Sequence, residues 1–301
     1  LLDSVMGCCI HSTLKAGSAF TTLEIKINYV RAMTDKTGPV KAEGKLINAG
    51  KPEGQLSACF VLPVEDSLES IFDSLKHSAL IHQSGGGTGF SFSSLRPKGS
   101  VVRTTRGTAS GPVSFVRIFD AATETVKQGG VRRGANMAVL RVDHPDILEF
   151  IESKQDMRSI TNFNISIGVT EDFMQAVRMG RAFALRDPRD GRAVRELDAG
   201  ELLDRIVDSA WICGDPGLLF LDRINRDNNL NYCETIESTN PCAEQPLPSY
   251  GCCCLGSINL TGFVTNPFSD EAAFDFAAFG KNIDTAIRML DNVLEATRWP
   301  L

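Results

Sequence analysis

The alternation of apolar and polar positions divides the chain into short elements of changing type. From Thr22 to Ala32, Leu23, Ile25, Ile27 and Tyr29 take one face and Glu24, Lys26 and Asn28 the other. That period of two predicts a half-buried antiparallel strand. Thr37-Gly38-Pro39 marks a turn, and Val40 to Ile47 reads as the returning strand. Ala58 to Val61 is a continuous apolar run, the pattern of a buried strand. Asp66 or Ser67 then caps a helix reaching about Gln83, with Leu68, Ile71, Phe72, Leu75 and Ala79 on its apolar face. The glycines between Gly85 and Gly89 stop it. Pro112 suits the first turn of a second helix, which Gly129-Gly130 ends. Met137 to Val142 and Asn162 to Val169 predict strands, with a short helix between them from Asp146 to Ser153. Leu202 to Cys213 is an amphipathic helix closed by Gly214. A last helix spans about Glu271 to Thr297, with a kink expected near Gly280. Strands alternating with helices predict an α/β fold.

Composition narrows the classes. With 43% hydrophobic and 23% charged residues, the 301-residue chain matches globular proteins and can hold one large domain or two ordinary ones. A net charge of −6 leaves no basic excess to neutralise a nucleic-acid backbone. No apolar run approaches membrane-spanning length, and no signal peptide opens the chain. The nine cysteines are odd in number and unevenly spaced, which fits a reducing cytoplasm better than a secreted disulfide framework.

Candidate chemistry concentrates between Ser238 and Leu260. Asn240, Cys242 and Glu244 occupy alternate positions in a stretch broken by Pro241, Pro246 and Pro248. Proline removes backbone donors, so a shaped loop is expected. In an extended segment the amide, thiol and carboxyl would share one face and converge on a small substrate. A buried loop cysteine beside a helix cap is the plainer alternative. Cys252-Cys253-Cys254 lacks a C-x-x-C pair or a nearby histidine, so no metal is expected. On a strand, Cys253 would face away from its two neighbours. Gly85-Gly86-Gly87-Thr88-Gly89 is neither phosphate-binding fingerprint; it is a turn or a close backbone approach to a ligand. Gln128-Gly129-Gly130 is either a helix stop or part of a mobile loop, and Arg132-Arg133 are either solvated or phosphate-holding. His77 and His82 read as packing or surface residues, and Cys213 and Cys233 as core thiols.

Four stretches, in order, resemble the ribonucleotide reductases. They are Gly54 to Leu68 around Cys59, Ser84 to Pro97, Gln128 to Asn136, and Asn240-Pro241-Cys242-Ala243-Glu244 with Cys253 to Leu260. The flavour is most similar to the adenosylcobalamin-dependent branch. The resemblance covers about residues 46–301. It implies a partial ten-stranded α/β barrel, truncated at its C-terminus, with the cysteine loop threading its centre. It further implies reduction of ribonucleotides to 2′-deoxyribonucleotides. Cys242 would form the thiyl radical, Glu244 act as base and Asn240 hold the 3′ region. Cys59 would protonate the leaving 2′ hydroxyl and then pair with Cys253 as a disulfide. Ser57, Ala58, Gly86 and Gly87 would line the substrate. Asp66, Gln128, Gly129, Gly130, Arg132 and Arg133 would bind or relay a deoxynucleotide effector. A homodimer and a thioredoxin-like reductant are the implied partners, with no membrane and no direct nucleic-acid binding.

Residues 1–45 resemble something else, the later half of a hotdog-fold acyl-CoA thioesterase: a helix plus β-hairpin fragment. Asp3 stands where that family's helix carries its catalytic carboxylate. The expectation is a chimera joined near Leu46 to Gly50 and truncated at both ends.

Overall fold

A computed structural model of the chain describes residues 55–102, 106–128 and 132–301. The hotdog-like reading of residues 1–45, Asp3 included, lies outside the described residues, as do Gly129 and Gly130. Two compact units are present: one runs from Ala58 to Cys253 with Pro300–Leu301, and the other takes residues 55–57 and 254–299.

In the first unit the elements follow in chain order. They are β1 (Cys59–Leu62), α1 (Leu68–Gln83), β2 (Gly87–Ser91), α2 (Pro112–Thr125), β3 (Lys127–Gln128), β4 (Arg132–Arg133) and β5 (Asn136–Arg141). Next come α3 (Ile147–Glu152), β6 (Phe163–Val169), α4 (Glu171–Arg178), β7 (Ala182–Arg186), β8 (Ala193–Asp198) and α5 (Ala199–Cys213). The unit closes with β9 (Gly217–Phe220), α6 (Leu221–Asp227), β10 (Ser238–Thr239), β11 (Pro246–Leu247) and β12 (Cys252–Cys253). The main sheet has the order β12-β1-β2-β5-β6-β9. Its strands β1, β2, β5, β6 and β9 are parallel, and β12 joins the β1 edge antiparallel. Five parallel strands connected through helices are the pattern of half of a ten-stranded α/β barrel.

The period of two sorts this sheet into unlike faces. Phe60, Leu62, Phe90, Phe92, Ala138, Leu140, Phe163, Ile165 and Ile167 join the helices in the large core. Phe90, Phe119 and Phe92 meet edge to face or tilted, with Phe90–Phe119 centroids 4.8 Å apart. The opposite face carries Cys59, Val61, Gly87, Gly89, Met137, Val139, Asn164, Ser166 and Gly168, which are small or polar at many positions. Bulk on one side fixes the helices; lack of bulk on the other leaves room for an inserted segment.

Several boundaries differ from those expected. Ser67, not Asp66, caps α1, its Oγ accepting the Ser70 N–H at 3.1 Å. The glycine run does more than stop that helix. Ser84 and Gly85 end it, and Gly87–Ser91 then enter the sheet as β2. The second helix ends at Thr125, short of Gly129, because the chain turns into the β3–β4 ribbon. The β7–β8 hairpin, α4, β9 and α6 were not anticipated; β7 and β8 are largely exposed and lack the apolar alternation of a core strand. As expected, α5 ends at Gly214, which takes the left-handed φ of 83° that glycine tolerates.

In the second unit, a 3₁₀ turn (Leu260–Phe263) precedes β13 (Val264–Thr265), which pairs antiparallel with β14 (Ala273–Phe274). The final helix, α7 (Phe276–Ala296), starts five residues later than expected and continues through Gly280. Asp275 caps it by accepting the Ala278 N–H at 2.9 Å. Phe263, Phe274 and Phe279 form its aromatic contact, and the Leu56 N–H donates to Thr297 Oγ1 at 2.8 Å. No described helix is long and apolar enough to cross a membrane.

Candidate active site

The site begins with strand register. Cys59 of β1 lies directly opposite Cys253 of β12. Residues facing each other in an antiparallel pair have Cα atoms about 4.5–5.5 Å apart, inside the range of about 4.4–6.8 Å that disulfides span. Both thiols are buried and free. Cys252, one residue back, packs toward the large core instead, as the alternation requires.

The two sulfurs share a hydrogen bond, which pushes their proton affinities apart. Donation from Cys253 is the largest influence on Cys59; Asn240 and the Gly87 backbone add to it, while burial and Glu244 oppose. The Cys59 thiol is lowered from 9.0 to about 7. The Cys253 thiol moves strongly upward, first because it donates to Cys59 and then because it is buried. Cys59 is therefore the more acidic thiol of the two, and the pair titrates as a unit.

Cys242 reaches this pair through a turn, not through an extended strand. The expected alternation of 240, 242 and 244 on one face is not what forms. The Ala243 N–H donates to the Asn240 carbonyl at 3.1 Å, and Ala243 takes a positive φ of 64°. The Gln245 N–H donates to Asn240 Oδ1 at 3.0 Å, closing the turn between β10 and β11. Asn240 is fully buried inside it, and its Nδ2 donates to Cys59 Sγ at 3.8 Å. Cys242 and Glu244 are exposed at the tip. The Cys242 thiol is raised first by partial desolvation, then by the charges of Glu244 and Cys59, so the three groups sense one another. The physical reason for the turn is a single amide that ties both ends of the loop, which an extended strand would leave unbonded.

The glycines of β2 make room for this turn. A Cβ on Gly89 would stand 1.7 Å from the Thr239 carbonyl oxygen, and one on Gly87 would stand 2.6 Å from Pro241 Cγ. Asn164 of β6 adds a tie, its Nδ2 donating to the Pro241 carbonyl at 2.7 Å. Ala243 packs on Met137, Val139, Leu219 and Leu221. Asn164 was not singled out in the sequence, and Gly89 was read only as part of the glycine run. Their signal was the small and polar spacing along one face of β2 and β6.

The remaining expected residues are placed as follows. Ala58 donates to the Cys253 carbonyl at 2.9 Å and accepts from Gly87 at 2.8 Å. Gly86 is buried and donates to the Ile81 carbonyl. Ser57 belongs to the second unit, where its Oγ lies 3.7 Å from Cys254 Sγ. The Asp66 carboxylate accepts from Arg96 Nε at 2.9 Å to both oxygens, so it is already partnered. Gln128 pairs in backbone register with Arg132, and Lys127 with Arg133. His82, expected as packing or surface, is buried and hydrogen-bonded to Thr88.

Comparison with known proteins extends this picture. Residues 57–301 match the family described as "Ribonucleotide reductase, barrel domain". A "Vitamin B12-dependent ribonucleoside-diphosphate reductase" of Thermoplasma acidophilum is 53% identical over 257 residues, 85% of this chain and 33% of the relative. One of the same description from Mycobacterium tuberculosis is 47% identical over 256 residues, 85% of this chain and 36% of the relative. A "Vitamin B12-dependent ribonucleotide reductase" of Streptomyces clavuligerus is 37% identical, over 81% of this chain and 28% of the relative. The chain thus spans about a third of the length of the relatives it matches.

Proposed function

The chain belongs to the ribonucleotide reductase barrel-domain family, and from that premise we propose that it serves the radical reduction of ribonucleoside diphosphates to 2′-deoxyribonucleotides. One observation carries this reading: two free thiols in facing register, with a third thiol on a turn fitted against the neighbouring strand β2 and tied to Cys59 through Asn240. The net reaction consumes both thiols: ribonucleotide plus two S–H groups yields deoxyribonucleotide, a disulfide and water.

The names of the relatives point to a B12 cofactor, adenosylcobalamin. The residues fit it. Of the three site thiols only Cys242 is exposed, so a radical-supplying group can reach that sulfur alone while the redox pair stays shielded. When bound, the cofactor supplies the radical. Cys242 then takes the 3′ hydrogen from the ribose. Glu244, at the same tip, accepts the 3′ hydroxyl proton, and Asn240 orients the turn and the 3′ region. With both thiols protonated, Cys59 gives its proton to the departing 2′ hydroxyl, which leaves as water. The second S–H supplies the hydrogen at C2′, the pair gives up two electrons and closes as a disulfide, and Glu244 and Cys242 return the 3′ proton and the 3′ hydrogen. Ser57, Ala58, Gly86 and Gly87 contact the substrate in this reading. Asp66 and the segment Gln128–Arg133, with Gly129 and Gly130, bind and relay a deoxynucleotide effector. A homodimer, a thioredoxin-like reductant and a cytoplasmic setting complete it, with residues 46–301 as the reductase domain.

Full-length protein carrying this sequence, given adenosylcobalamin, dithiothreitol and a ribonucleoside diphosphate, should form the deoxynucleotide. The Cys242→Ser variant should form none. Glu244→Gln should lower turnover by about 10²–10⁴-fold, the usual range for a lost general base. Normal turnover in Cys242→Ser would reject the assignment. A second proposal rests on the resemblance of Leu1-Leu2-Asp3-Ser4 and Thr21-Thr22-Leu23-Glu24 to a hotdog thioesterase: residues 1–45 derive from that family, with Asp3 as its remnant carboxylate. Hydrolysis of acyl-CoA, abolished by Asp3→Asn, is its test.

A further inference from the structure

Behind the sheet, on the face away from Cys242, lies a closed polar network that the reductase reading does not use. Thr88 is its hub, fully buried between Gly87 and Gly89. Its Oγ1 donates to Asn136 Oδ1 at 2.6 Å. A hydroxyl has one proton, so Ser78 and His82, each 3.1 Å away, must donate to it. His82 is therefore protonated on Nε2 and neutral, in line with burial lowering it from 6.5 to about 4. On the far side, Asn136 Nδ2 donates to Thr123 Oγ1 at 2.9 Å, and Thr123 donates to the Phe119 carbonyl at 2.8 Å. Five buried polar side chains from α1, β2, β5 and α2 are thus satisfied by one another.

This network sits at the foot of the β3–β4 ribbon. β4 leads through Gly134 and Ala135 into Asn136. A Cβ on Gly134 would stand 2.8 Å from His82 Nδ1 and 2.9 Å from Thr123 Cγ2, so the chain passes with no space to spare. The Ala135 carbonyl accepts the Thr88 N–H at 3.0 Å. A shift of the ribbon's foot therefore moves Thr88. Alternate residues of that strand, Gly87 and Gly89, are in contact range of Pro241 and Thr239 on the cysteine turn. A buried network that is fully satisfied resists partial deformation, because each broken bond leaves an unpaired polar group. It transmits a displacement where an apolar contact would slip.

We propose that Thr88 is a positioning residue which, with His82, Asn136 and Thr123, couples the described foot of the β3–β4 pair, where Arg133 leads into Asn136, to the cysteine turn and so makes substrate choice depend on the position of that foot. The proposal rests on the reductase reading for what is chosen, and on geometry alone for the coupling.

The test compares wild type with Thr88→Val, which keeps the shape and removes the hub hydroxyl, and Thr88→Ser, which restores it. Thr123→Ala, which removes the Asn136 amide's acceptor and the donor to the Phe119 carbonyl but leaves Thr88 in place, is the milder second variant. Hydrogen exchange in the full-length protein reads the coupling without any assay of activity. Thr88→Val should lose protection at Asn136 and also at the Ala243 and Gln245 amides on the other face of the sheet, with Thr123→Ala losing less at the same places and Thr88→Ser regaining it. In turnover assays, Thr88→Val should lose the greater part of the effector-dependent change in substrate preference, about tenfold for an ordinary allosteric coupling, while unstimulated turnover persists. Loss of protection confined to α1 and β2, or an equal fall in turnover for every substrate, would reduce Thr88 to a structural residue and overturn the proposal. Coupled exchange in a wild type that reduces no ribonucleotide would instead leave the coupling standing and sink the reductase reading.

Discussion

The Cys59–Cys253 pair owes its poise to hydrogen bonding more than to burial. Desolvation alone raises a thiol, and Cys253 follows that direction. Cys59 goes the other way because Cys253, Asn240 and the Gly87 backbone all stabilise its thiolate. Cys253→Ala removes the largest of these, so the thiolate absorbance of Cys59 should titrate well above 7 in that variant. In wild type the folded value lies below the unfolded one. The stability this thiolate contributes is therefore complete above the unfolded value and fades as pH falls through about 7. His82 gives a second pH dependence by another route. It is buried neutral, so acid favours the unfolded chain, in which the ring can protonate. Its contribution is full above the unfolded value of 6.5 and is lost progressively as pH falls toward about 4. The loss is on the order of 3 kcal/mol at about 1.4 kcal/mol per unit. Acid unfolding monitored in His82→Gln should be flatter over that window; an unchanged slope would remove His82 from the account.

At the scale of elements, β2 is where the sequence was easiest to misread. Its glycines suit a turn by propensity, and a strand with glycine at alternate positions is weak on its own. Tertiary contact overrides that: β2 pairs on both sides, with β1 and β5, and its missing side chains admit the cysteine turn. Gly89→Ala would force a Cβ into the Thr239 carbonyl, so the β10–β11 turn must move or the sheet must part. Overpacking of this kind costs about 1–3 kcal/mol or more. The melting temperature should fall, and the Ala243 and Gln245 amides should lose exchange protection even where the sheet survives. A variant that keeps both would show that the close approach is not required. The apolar strands β1, β5 and β6 and the capped helices α1 and α5 were legible, because continuous apolar runs and caps report directly on local structure. The Asn240 turn was not. Its cause is one buried amide bonding Ala243 by its backbone, Gln245 by its side-chain oxygen and Cys59 by its nitrogen, a pattern with no local periodicity.

Across the molecule, the described sheet supplies five parallel strands with an antiparallel edge strand, and that edge brings Cys253 to Cys59 from the far end of the unit. Composition and periodicity gave an α/β class but no strand order; the ordered motifs carried the family, and only the register brought the thiols together. The most direct measurement is a single-turnover experiment on full-length, pre-reduced protein carrying this sequence, with adenosylcobalamin and a ribonucleoside diphosphate but no external reductant. The account predicts at most one deoxynucleotide per active site, with a Cys59–Cys253 disulfide formed in equal amount and identified by peptide mapping, and neither product in Cys242→Ser. Deoxynucleotide formation with Cys59 and Cys253 still reduced, or a disulfide joining other cysteines, would contradict it.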